Sequence, residues 1–417
     1  MKTIFQISLA LSVALITRTS VGAENNREQA QWPCFHGPNH DNISLETGLL
    51  KKWPKEGPKM IWQYSECGRG FSMVSIADGM IFTAGDFGDD EMVIALNMEG
   101  KLLWKSPNGK SWKGSHPGSR TVPTYDNGVL YQMNPTGMLS AFRANSGKSI
   151  WSVDLSERFN VRYGIWALSE NVVVADDLVL CMPGGSKGRV VALDKQTGRT
   201  VWKNTELDEI AAYCSPVLVS HKGVRQYITL TGKRVVSIEA KTGKLLWSYP
   251  HPTPYNQSIT TPIFNDGYVF ITSGHSGGGR LLKINDDQRS ARQIWYRKEL
   301  DSCHGGVVLL DGRMYGSACR LGGKIFFCAD FLTGNIRQQD KRLGKLSLTY
   351  ADGMIYGLNT EGNMLLIKIT AEGFNVVSRF KVPNQGSGQF LSHPVICGRR
   401  LYIRHWNNLY VYDISAL

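Results

Sequence analysis

One short pattern constrains this chain more than anything else in it. A small residue opens an apolar strand, a Thr-Gly or Ser-Gly pair follows, and a tryptophan closes the unit. It runs from Ala141 through Gly147 to Trp151, from Ala192 through Gly198 to Trp202, and from Ser237 through Gly243 to Trp247. A copy one residue shorter runs from Ala95 through Gly100 to Trp104, and a decayed one from Cys328 to Gly334. The glycines recur about every 45 residues, the period of stacked four-stranded units. Each copy follows an earlier strand announced by a turn, as in Asp78-Gly79 and Asn127-Gly128, and Asp266-Gly267, Asp311-Gly312 and Asp352-Gly353 mark further blades between β-branched and aromatic residues. Such pairs accept the positive φ that a tight turn needs. The expectation is an all-β, eight-bladed β-propeller.

Eight strand pairs start near 78, 126, 175, 221, 265, 311, 350 and 395. The last set ends at Leu417 without an outer strand, whereas Met60–Tyr64 has that strand's pattern and nothing before it. Residues 59–64 therefore complete the eighth blade and close the ring, leaving few open edges. Trp104, Trp151, Trp202, Trp247 and Trp295 hold the docking position between blades, with Gln338 and Phe380 replacing it late in the chain. A count of seven blades stays open at the decayed region near 340.

Residues 1–23 read as a secretory signal: Lys2, an apolar run from Ile4 to Ile16, then Val21 to Ala23 with a cleavage site after Ala23. The run is too short and too interrupted by polar residues to span a bilayer. Residues 24–58 form an N-terminal extension packed on the side of a propeller that occupies 59–417. A periplasmic or secreted location follows, with no transmembrane segment. The net charge of +12 favours anionic partners, a small molecule or an envelope protein, over nucleic acid, for which no aromatic and basic interleaving exists. Of the eight cysteines, Cys319 and Cys328 flank a hairpin and are the first pair to consider for a disulfide.

The repeat resembles the pyrroloquinoline-quinone (PQQ) repeat of quinoprotein alcohol dehydrogenase-like propellers, and Trp32 to Asn39 resembles the lead-in of secreted bacterial members. That resemblance implies the propeller fold and offers two activities. One branch oxidises alcohols or sugars with PQQ and calcium in the central funnel. The other is a scaffold in outer-membrane protein assembly and has no cofactor. The adjacent cysteine pair of many alcohol-oxidising members and the lipid-anchoring cysteine of the scaffold branch are both missing here.

Loops entering the innermost strands converge on one funnel, which makes their residues the ligand-binding candidates: Arg69, His116, Arg120, Arg162, Tyr163, Trp166, Tyr213, Gln257, His304, Lys345 and Gln389. Guanidinium and ammonium groups there suit a carboxylate-bearing ligand. His116 and His304 are candidates for acid–base chemistry, and His36, His40, His116 and His304 for a metal site without supporting spacing. The run Asp86 to Glu91 reads as a solvated hairpin tip or a calcium loop. The leading expectation is a non-catalytic binding module with a basic funnel; the dehydrogenase and the scaffold are its alternatives.

Overall fold

The computed structural model describes residues 30–319 and 324–416. The secretory signal assigned to residues 1–23 lies outside them. Eight antiparallel sheets stand around a central channel, each meandering from an inner strand to an outer one. Blades 1 to 7 begin at Ser75–Ala77, Thr124–Asp126, Val173–Ala175, Val217–His221, Ile263–Asn265, Ser302–Leu310 and Leu346–Ala351. Blade 8 begins at Val395–Cys397, and its outer strand is Met60–Tyr64, paired antiparallel with Asn408–Asp413. The ring closes as its pattern predicts, and the count is eight.

The tryptophan and the glycine of the repeat turn out to be two halves of one joint. Trp151 stands opposite Ala141, and Trp202 opposite Ala192, beside a register shift in the outer strand. Each indole then reaches the next blade, donating to Lys195 O and Ala240 O at 3.0 Å. Its ring lies on the glycine of that blade's turn. A β-carbon on Gly243 would stand 2.4 Å from the Trp202 ring, and one on Gly147 equally close to Trp104. These glycines are therefore required twice, by φ values of +76° and +68° and by the ring that covers them. Trp62, Trp104 and Trp295 make the same reach to Met98 O, Ala144 O and Phe331 O. Trp247 instead donates to Gln226 of its own blade.

Two late positions differ from expectation. Gln338 does occupy the docking site in blade 6, but in blade 7 Ser378, not Phe380, stands opposite Leu366. Phe380 packs instead on Trp53 and Tyr412. The extension also differs, since it does not simply pack on the side. Trp32 exchanges backbone hydrogen bonds with Ile76 of blade 1, and Pro33 accepts from Tyr125 of blade 2. The chain then crosses the channel, and Ile43–Ser44 adds a parallel strand to the inner edge of blade 7. The physical reason is that inner strands present unpaired N–H and C=O groups to the channel, and this segment satisfies several of them. Beyond it, Leu49 and Trp53 join the apolar core of blades 7 and 8.

Candidate functional site

The crossing segment divides the channel. A cavity of about 250 Å³ lies among the ends of the inner strands of blades 4, 5 and 6, walled by His36 to Ile43. A larger one, of about 450 Å³, opens at the loop face, with Phe35 and His36 among its walls. Eight of the sequence candidates line this larger cavity: His116, Arg120, Trp166, Tyr213, Gln257, His304, Lys345 and Gln389. Neighbouring loops are knitted around it. Tyr213 N donates to Ser258 O, Ser392 Oγ to Phe71 O, and Thr260 Oγ1 to Cys303 O.

Three candidates lie outside. Arg69 pairs through its backbone with Asp86. Arg162 is exposed and 3.9 Å from Asp208. Tyr163 forms a backbone bridge to Ala211 and sets its ring edge against Trp112. Arg120 lines the cavity, yet its guanidinium donates to the carbonyls of Ser115, His116 and Gly118 and so braces its own loop. Burial lowers its pKa to about 10, against the opposing pull of Asp86 and Glu91.

Three histidines of the wall, His304, His36 and His393, are held toward the neutral ring by burial. Burial brings His304 down to about 3, helped by Lys345 and His393, which favours the neutral ring near neutrality. His36 and His393 are also lowered by burial, and their rings face each other at 4.8 Å. His393 Nε2 meets the carbonyl of His304 at 2.9 Å. His304 Nε2, Gln257 Oε1, Thr261 Oγ1 and His36 Nε2 are buried along the cavity wall without a protein hydrogen-bond partner. Such groups call for water or a polar ligand. His40 turns away to Cys34, and among the described residues no three His, Cys, Asp or Glu side chains are grouped to hold a metal.

The acidic run is no uniformly solvated tip. Asp86 and Glu91 face each other across the hairpin and are buried, while Asp89 and Asp90 pair outside with Lys113 and Lys110. Burial raises Asp86 to about 6 and Glu91 to about 7.

Sequence reasoning missed His393, His275, Cys303 and Cys319, all on the cavity wall. His393-Pro394-Val395 repeats the offset of Ser215-Pro216-Val217, and that offset was the available signal. The Cys319–Cys328 pairing is also corrected. All eight cysteines are free, and Cys328 stands opposite Tyr315 inside blade 6, whereas Cys319 faces the cavity beside Cys303.

Calcium needs several hard oxygen ligands, usually carboxylates, and among the described residues no Asp or Glu lines the cavity. Lys345, Arg120 and the buried histidines do not replace them. The residues present do not fit the quinone–calcium pair.

A family profile described as outer membrane protein assembly factor BamB matches residues 52–340. The chain is 26% identical over 278 residues to the BamB of Moranella endobia, covering 65% of this chain and 66% of that protein. It is 26% identical over 168 residues to the quinoprotein alcohol dehydrogenase PedH of Pseudomonas putida, covering 39% and 27%. Among solved structures, a europium-containing methanol dehydrogenase superposes with a TM-score of 0.66 at 13% identity, over 92% of this chain and 91% of the other.

Proposed function

The chain belongs to the family of the outer membrane protein assembly factor BamB, propellers built from PQQ-type repeats, and from that membership we propose a non-catalytic, partner-binding propeller of the bacterial envelope. Its partner is an outer-membrane protein or part of the machinery that assembles one, docked on the loop face. The observation that carries this reading is the character of that face. Ile165, next in sequence to the wall residue Trp166, and Tyr255, whose ring meets that of the wall residue His275, lie in loops entering blades 3 and 5 and are 59% and 70% exposed. Isolated apolar residues on a surface are ordinary, but these flank a recess with unpaired buried polar groups and no carboxylate. A partner inserts an anionic or polar group there while the apolar side chains cover the rim. Export, and an envelope location, belong to the same proposal.

The dehydrogenase reading has the superposition in its favour and the donor set against it. Titrating the mature protein with PQQ and calcium, followed by absorbance and dye-linked oxidation of an alcohol and sugar panel, separates the two. A binding module gives no saturable absorbance change and no dye reduction. Saturable uptake with turnover would replace the proposal with an oxidoreductase.

A further inference from the structure

Two cysteines meet on the wall of the loop-face cavity. Cys303 lies in the first strand of blade 6, within the irregularity between Ser302 and Val307. Cys319 follows the second strand, held by its N–H to Asp301 O at 2.9 Å. Gly274 of blade 5 shows how close the pair is. A β-carbon there would stand 2.9 Å from Cys303 Cβ, 3.1 Å from Cys319 Cβ and 3.0 Å from Cys319 Sγ. Both side chains thus crowd one point, which puts their β-carbons within about 6 Å of each other, close enough for a small closure to reach the roughly 3.5–4.5 Å of a disulfide. Both line a cavity of about 450 Å³ that opens to the loop face.

The other six thiols have no such setting. Cys34 bonds the carbonyl of Gly37, and Cys181 and Cys214 are sealed in the cores of blades 3 and 4. Burial raises all six. Cys319 alone moves down from the ordinary thiol value, held there by the hydrogen bond from Cys303 and then by the charge of Lys345. Cys303 moves up, as the partner that keeps its proton. A thiolate beside a thiol and an ammonium group is the arrangement that makes a sulfur nucleophilic.

We propose that Cys303 and Cys319 form a redox-active dithiol that exchanges with a small disulfide admitted through the loop-face cavity. The Cys319 thiolate attacks one sulfur of R–S–S–R. That S–S bond breaks, R–S⁻ departs, and Cys319 is left in a mixed disulfide. Cys303 then attacks the Cys319 sulfur, its proton passing to the released thiolate. The second R–S⁻ leaves and takes a proton from water, and the Cys303–Cys319 disulfide remains. The dithiol has lost two electrons, the small disulfide has gained them, and two thiols restore the starting state by the reverse steps. Lys345 is a positioning residue that stabilises the thiolate.

The test uses the full mature chain, treated at neutral pH with oxidised glutathione, quenched in acid, alkylated and mapped without reduction. Trypsin cleaves after Arg313 and so separates the two cysteines. One linked peptide pair joining Cys303 to Cys319 is expected, reversed by reduced glutathione, with the other six cysteines alkylated only after unfolding. Cys303→Ser should stop at a glutathione adduct on Cys319, and Cys319→Ser should react at least about tenfold more slowly. Lys345→Met should raise the pH midpoint of Cys319 alkylation without changing the circular dichroism spectrum. Free thiols at both positions after prolonged treatment, or a disulfide joining other cysteines, would overturn the proposal.

Discussion

Two arcs of the ring are held together differently. From blade 8 round to blade 4, and again from blade 5 to blade 6, an indole of one blade lies on a turn glycine of the next. From blade 6 to blade 8 that joint is lost, because Gln338 and Ser378 stand where tryptophans would. The later part of the N-terminal extension braces this arc, while its start pairs with blades 1 and 2. Ile43–Ser44 pairs with blade 7, and the Trp53 ring packs on Phe380 and Tyr356 while its backbone N–H donates to Ser378 Oγ. Trp53 brings from outside the repeat the indole that the repeat no longer supplies. A decayed copy in a propeller is therefore a place to look for a brace from elsewhere in the chain.

The comparison breaks most visibly at the two indoles. Trp295→Ala and Trp53→Ala should each cost about 3–5 kcal/mol, the usual range for emptying a packed tryptophan site, as read by urea unfolding. A loss below about 1 kcal/mol for Trp53→Ala would mean that the extension merely lies on the blades. The glycines come next. Gly243→Ala drives a methyl into Trp202 and should cost about 1–3 kcal/mol. Gly128→Ala meets nothing within 4 Å and carries only its φ of +80°, a cost of about 1 kcal/mol. Equal losses would remove the ring-on-glycine joint from the account.

Titration separates channel from seam. Burial raises Glu170, which accepts from Tyr227 Oη and Met182 N, from 4.5 to about 8. The native chain then keeps a proton that the unfolded chain releases, so stability falls as pH rises from 4.5 to 8. The slope is at most about 1.4 kcal/mol per pH unit. His304, lowered from 6.5 to about 3, acts at the other end: stability falls as pH drops from 6.5 towards 3. Glu170→Gln should flatten the alkaline limb of the unfolding curve and leave the acid limb unchanged. His304→Gln should do the reverse.

The blades were legible because their signals are local. A turn glycine, a small residue and a tryptophan lie within one hairpin, and Met60–Tyr64 carries the outer-strand pattern wherever it falls in the chain. The Phe380 reading failed because the strand register pairs Phe380 with Met364 and leaves Ser378 opposite Leu366, at the docking position. Most funnel candidates do reach the cavity, since loops entering inner strands converge in any propeller. Cys303, Cys319 and His393 escaped because their proximity is set between loops of unequal length and between blades. Hairpin spacing paired Cys319 with Cys328, but the strand register places Tyr315 opposite Cys328. Nothing in the repeat describes the extension, so its passage through the channel had no sequence counterpart.

The most direct test of the account is photo-crosslinking with purified β-barrel assembly machinery, using a benzophenone amino acid at one position at a time. Tyr255 probes the loop face, and Val201, 53% exposed on the outer strand of blade 3, probes the rim. A partner docked on the loop face gives a crosslink to a single component from position 255 and none from 201. Crosslinking from 201 alone, or from neither position, would contradict a partner docked on the loop face.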